Sequence, residues 1–105
     1  MFYEWNGYKL RLDAKRIEQL EDALGGKSPL SVFAKTEGLP PLKDMLSILH
    51  AALVPLQHSI KKDDVYAIYD DYVNAGNNYT DLIKAIVEVF KVSGLIPKEE
   101  IDPKN

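Results

Sequence analysis

The stretch Leu42–Leu56, LKDMLSILHAALVPL, constrains the fold more than any other part of the chain. Leu42, Met45, Leu46, Leu49, Ala52, Leu53 and Leu56 recur at the alternating three- and four-residue spacing that stacks side chains on one face of an α-helix. Ile48 and Ala51 widen that face, and only Lys43, Ser47 and His50 give the other side polar character. A helix this apolar has to be covered over most of its circumference. It predicts the central helix of a small bundle, with Pro55 kinking or ending it because the proline ring conflicts with the carbonyl four residues back.

A chain of 105 residues has room for one core around that helix and not for two. Its 13 basic and 16 acidic residues are interspersed, apart from an acid-rich run between Asp63 and Asp71. The resulting net charge of −3 gives no broad attraction to nucleic acid or to anionic lipid. Without cysteine there is no disulfide framework, thiolate nucleophile or cysteine zinc site, a composition compatible with the cytoplasm. The start MFYEWNGYKL lacks the basic-then-apolar order of a signal peptide. Pro40, Pro41, Lys43, Asp44 and Pro55 interrupt the one long apolar region, so no membrane segment is expected.

Asn6-Gly7 lies between two aromatic-rich runs and predicts a two-residue hairpin turn, since both residues tolerate positive φ. The register follows: Trp5 opposite Tyr8, Glu4 opposite Lys9, Tyr3 opposite Leu10, Phe2 opposite Arg11 and Met1 opposite Leu12. Met1, Tyr3, Trp5, Tyr8, Leu10 and Leu12 then share an inner face, and the Glu4 and Lys9 charges meet on the outer one. An isolated hairpin is marginal in water, so its aromatic face has to rest on helices, leaving a free edge for another chain.

Asp13 reads as the N-cap of a first helix whose stripe is Ala14, Ile17, Leu20, Ala23 and Leu24, with Lys15, Glu18, Gln19 and Asp22 outward and Gly25-Gly26 as its stop. A shorter second helix is expected from Ser28 to Gly38, with Pro29 in its first turn. Leu39-Pro40-Pro41 is a stiff connector into the central helix. After a polar loop at residues 57–62, the fourth helix spans Asp63 to Asn74 with Val65, Ile68, Tyr69, Tyr72 and Val73 inward. The fifth spans about Tyr79 to Ser93 with Leu82, Ile83, Ala85, Ile86, Val89 and Phe90 inward. From Leu95 onward prolines and charges give the chain the character of a tail. The expected architecture is mainly α: a small bundle of about five helices with an N-terminal two-stranded β-hairpin. It forms a single domain over residues 1–96, with the hairpin at about 1–12 and a flexible tail at 97–105.

No catalytic, cofactor-binding or metal-ligating residue emerges from these patterns. His50 and His58 have no partner ligand at a useful spacing. Asp63, Asp64, Asp70 and Asp71 read as a solvated face whose first two members complement the positive helix end. DDYVNAGNNYTDL places Val73, Ala75 and Leu82 where a calcium loop needs oxygen ligands. Gly25-Gly26-Lys27-Ser28 lacks the earlier glycine of a phosphate loop, and the helices around Gly38 lack the basic and amide side chains that read DNA. Phe2, Tyr66 and Val87 remain as candidate partner contacts: Phe2 on the outer hairpin face, Tyr66 at the margin of its helix stripe, and Val87 on the border of the last helix.

The order NGYKLRL, IEQLEDALG, SPLSVF, DMLSILHAAL and DDVYAIYDDYVNAGN resembles the tail assembly chaperones of long-tailed bacteriophages, prophages and gene-transfer elements over about Asn6 to Ile86. One departure is Lys61-Lys62 where the family pattern has a capping Ser or Thr. The resemblance implies a non-enzymatic protein, without cofactor, that binds the tape-measure protein, keeps it soluble and recruits major tail-tube subunits. It also implies self-association, residence in the bacterial host cytoplasm and absence from the finished virion. Many such chaperones have a longer form made by programmed ribosomal frameshifting. Pro103-Lys104-Asn105 admits codons forming a slippery adenine run, so the chain is expected to be the short product. The alternative left open is a small non-catalytic regulatory or protein-interaction module, antitoxin-like or associated with DNA.

Overall fold

The computed structural model describes residues 1–33 and 39–97. Its elements are β1 (Tyr3–Trp5), β2 (Tyr8–Leu10), α1 (Ala14–Ala23), a 3₁₀ turn (Pro29–Phe33), α2 (Leu42–Leu53), α3 (Lys62–Asn74) and α4 (Tyr79–Val92). The fold is mainly helical with an N-terminal antiparallel hairpin, and α2 packs against α1, α3, α4 and β2. Met45, Ile48, Leu49, Ala52 and Leu53 are wholly enclosed, as their spacing demands. α2 ends at Leu53 with Val54 N–H donating to the His50 carbonyl; Pro55 has no N–H to extend the ladder, and Gln57 N–H makes one further bond to the Leu53 carbonyl.

The hairpin has the expected register, Tyr3 with Leu10, Glu4 with Lys9 and Trp5 with Tyr8. Asn6 and Gly7 take φ of 50° and 87° at its turn. Trp5, Leu10 and Leu12 are buried, and the Trp5 ring lies 4.6 Å, centroid to centroid, from Tyr72 of α3. Three expectations are corrected. Met1 is not on an enclosed face but 65% exposed, because pairing begins only at Tyr3. Glu4 and Lys9 face each other without an ion pair; the Lys9 ammonium lies over the Phe2 ring, 5.2 Å from its centroid. The edge of β2 is not free either. Lys9 donates its backbone N–H to Gln57 Oε1 (2.8 Å), Gln57 Nε2 returns a bond to the Lys9 carbonyl (2.8 Å), and Arg11 N–H donates to the Ala52 carbonyl (3.0 Å). Glu4 and Lys9 form a non-hydrogen-bonded pair, so the Lys9 backbone groups point away from β1 and the side-chain amide takes the place of a third strand.

Four α-helices are described where about five were expected, because the stretch after Ser28 forms a 3₁₀ turn. Ser28 organises it: its Oγ accepts from Leu30 N–H, and its carbonyl accepts from both Ser31 N–H and Oγ. These local bonds favour a tight turn over a longer helix. The remainder of that expected helix, 34–38, lies outside the described residues.

Asp13 caps α1 as expected, accepting from Arg16 N–H at 2.9 Å. Of its stripe only Leu20 is buried; Ala14 and Ala23 are exposed, since the helix leans on α2 by a narrow line. At the start of α3, Lys61 has no capping oxygen, and one half of a capping box remains, Asp64 Oδ2 accepting from Lys61 N–H. Val73, expected inward, is 40% exposed. It sits about 100° around the helix from Tyr72, on the flank of the Val65, Ile68 and Tyr72 stripe. Asn78 and Asp81 form a reciprocal box at the start of α4, and the Tyr79 hydroxyl donates to the Pro40 carbonyl, fastening α4 to the connector before α2.

Leu95 and Ile96 are not tail. Gly94 turns with φ of 84°, Leu95 N–H donates to the Phe90 carbonyl at 2.9 Å, and both side chains pack on the core. Residues 98–105, including the expected frameshift end, lie outside the described residues.

Candidate partner-binding surface

α1 and α2 pack along a line that leaves a groove of about 320 Å³ on the polar side of α2. Leu20, Ala23, Ala51 and Val54 supply its apolar lining, in which the small side chains of Ala23 and Ala51 leave a notch. Lys15 and Arg16 from α1 and Lys62 from the first turn of α3 form a cationic rim, with Gln19, Ser47 and His50 between them and no carboxylate in the lining.

The rim cations have weak partners or none. The Lys62 ammonium reaches Ser47 Oγ at 3.4 Å, the Arg16 guanidinium reaches Gln19 Oε1 at 3.5 Å, and the one ion pair among the described residues is Lys91 with Glu88. His50 Nε2 lies 3.3 Å from the Ile60 carbonyl, a contact that holds the loop before α3 against α2 and gives the ring a structural task. Lys15 also borders a shallower dip with Glu18 and Glu21 on the outer side of α1.

The three residues singled out by sequence fall on three separate elements. Phe2 is 42% exposed beneath Lys9, and the Lys9–Gln57 clasp brings that corner towards Leu56, which is 43% exposed. Tyr66 is 53% exposed. Val87 is half-buried on α4, a less available side chain than its border position on the helix suggests. Tyr66 and Val73, seven residues apart, share the flank of α3 on which Lys62 also lies, so an apolar track leads along α3 to the groove rim.

Sequence reasoning missed the groove, placing Lys15 and Gln19 simply outward. The available signal was Ser47, His50 and Ala51, one small residue among polar ones, at groove spacing on an otherwise apolar helix.

Two hydroxyls near the hairpin and connector have perturbed acidity. Tyr72 is raised above its ordinary 10.0 mainly by burial, partly offset by the nearby Trp5 N–H. That indole N–H is buried and falls short of hydrogen-bond geometry, so its contribution is electrostatic. Tyr79 is raised by burial and then by Tyr69 and Asp44. Both are neutral phenols at physiological pH. Neither lines the groove.

Among the described residues no group of three or more histidines and carboxylates is placed to hold a metal ion, and no helix is long and apolar enough to cross a membrane. A family model described as a family of unknown function (DUF6096) matches residues 5–104. No curated protein and no solved structure matches the chain.

Proposed function

We propose that this chain, which belongs to the family of unknown function DUF6096, is a non-enzymatic tail assembly chaperone of a long-tailed phage or prophage. It binds the tape-measure protein, keeps it soluble in the host cytoplasm and helps recruit major tail-tube subunits, self-associating as it does so. The observation carrying this reading is the order of NGYKLRL, IEQLEDALG, SPLSVF, DMLSILHAAL and DDVYAIYDDYVNAGN along one chain. A second line of support is physical. A tape-measure protein presents long apolar helical stripes, and a small domain with Tyr66, Val73 and Leu56 at its surface and an open groove between α1 and α2 has apolar surface to offer them.

The test is co-expression with the large coiled-coil-like product encoded beside the gene, read by solubility and size-exclusion chromatography. The expected result is a soluble large protein co-eluting with many copies of this chain. A large protein that stays insoluble while this chain elutes alone as a monomer overturns the proposal and brings forward a regulatory or stand-alone binding module.

A further inference from the structure

We propose that the α1–α2 groove is a docking site for an acidic amphipathic helix, whose apolar side chains enter the Ala23–Ala51 notch while flanking carboxylates meet Lys15, Arg16 and Lys62. The nature of the natural partner rests on the chaperone proposal; the site itself does not.

Charge selects the occupant. The chain as a whole is acidic, at −3, yet three cations stand around this one groove with no carboxylate in its lining and no ion pair to neutralise them. At such a rim like charge suppresses basic partners and opposite charge favours acidic ones. Lysine and arginine suit the position because their aliphatic stems extend the apolar floor while their heads stay in water.

Shape selects a helix. The lining runs from Lys15 to Ala23 on α1 and from Ser47 to Val54 on α2. At 1.5 Å per residue the α1 side is about 12 Å long, or roughly two helical turns. An amphipathic helix lays apolar residues into a groove at three- and four-residue spacing, so two turns present one such pair with an acid on either flank. The groove is continuous at Lys62 with the Tyr66 and Val73 flank of α3, which gives a longer helix further apolar surface beyond the notch.

The probe is a short synthetic helical peptide with leucines and glutamates on one face, beside the same peptide with every glutamate changed to glutamine. Binding is read by fluorescence anisotropy and by amide chemical shifts in the full chain. The glutamate peptide is expected to shift the amides of Gln19, Ser47 and Ala51. The double variant Lys15→Gln/Lys62→Gln should weaken it by roughly fivefold per lysine at low salt. Lys84→Gln, an exposed change on α4, should leave it unaltered. Ala23→Leu fills the notch from an exposed helical position where leucine is well tolerated, and should abolish binding in a folded protein.

Equal binding of the glutamine peptide, shifts confined to α3 or the hairpin, or unchanged binding by Ala23→Leu each overturn the proposal. So does glutarate occupying the groove as tightly as the peptide, which makes it a small-anion site. Co-expression separates the two proposals. If wild-type and double-variant chains solubilise the tape-measure product equally and the glutamate peptide ignores the groove variants, the groove proposal falls and the chaperone proposal stands. If neither does while peptide binding follows the groove variants, the reverse holds.

Discussion

Replacing Gln57 by alanine removes the side chain that finishes the hairpin. Its amide makes three bonds: it accepts from Lys9 N–H (2.8 Å) and donates to the Lys9 carbonyl (2.8 Å) and the Leu53 carbonyl (2.7 Å). Each is worth about 0.5–1.5 kcal/mol net, but the two Lys9 bonds are exposed and water takes over part of each. The expected loss for Gln57→Ala is therefore about 1–2 kcal/mol, read as a urea midpoint, or roughly 5–9 °C in Tm for a domain of this size. Amide exchange supplies the specific readout. The Lys9 amide has Gln57 Oε1 as its acceptor and should lose protection, whereas Arg11, bonded to the Ala52 carbonyl, should keep its own. Gln57→Glu retains an acceptor for Lys9 N–H but points a carboxylate at two carbonyls, so it should be at least as destabilising as alanine at neutral pH and recover on acidification. A midpoint change under about 0.5 kcal/mol together with unchanged Lys9 exchange would refute the clasp.

Leu49→Ala empties a site with no solvent exposure at the centre of α2 and should cost about 2–5 kcal/mol, while Leu42→Ala, at a position 44% exposed on the same helix, should stay within about 0.5 kcal/mol; urea midpoints compare the two. Asn78→Ala breaks the box with Asp81 and should cost about 1 kcal/mol, whereas Asn78→Ser should restore most of it by thermal melting. Tyr72 and Tyr79 both have native values raised above the ordinary 10.0. Between that value and the native ones the unfolded chain releases protons that the native chain holds, so their contribution is complete below pH 10.0 and lost as pH rises through the native values. Urea midpoints below and above pH 10.0 should fall on the alkaline side, and Tyr72→Phe with Tyr79→Phe should flatten the fall. An unchanged slope in the double variant sinks that assignment.

Much of the fold was legible because its signals are local. Asn6-Gly7 supplies positive φ at two successive positions and fixes the register by counting outward, since a one-residue slip would turn Trp5 and Leu10 to water. Asp13 is legible as a cap because a short side-chain oxygen reaches an amide three residues on; Asn78 caps α4 by the same reach, a role the sequence reading did not assign. The apolar period of Leu42–Leu53 specifies both the helix and its central place. A Gly followed by an apolar residue, Gly94-Leu95, also announced the turn that carries Leu95 and Ile96 onto the core. It was obscured by the prolines and charges that follow.

Tertiary structure decided the rest, because it depends on which elements become neighbours. SPLSVF is the exception, a local choice: it is compatible with a helix, and bonds to Ser28 from within three residues close it as a 3₁₀ turn. Nothing local says that Gln57 closes an edge 48 residues away, that Lys9 turns from Glu4 to Phe2, or that Val73 lands on a flank. The candidate surface is of the same kind. Lys62 on α3 lies far along the chain from the adjacent Lys15 and Arg16 on α1, and each alone reads as a solvated charge. They become one cationic rim only when α1 and the start of α3 pack on the same side of α2. The sequence by itself therefore determined the hairpin, the caps and the identity of the buried helix, where the interactions lie within a few residues. The groove, its charge and its alanine notch arise from packing between helices, which no single helix encodes.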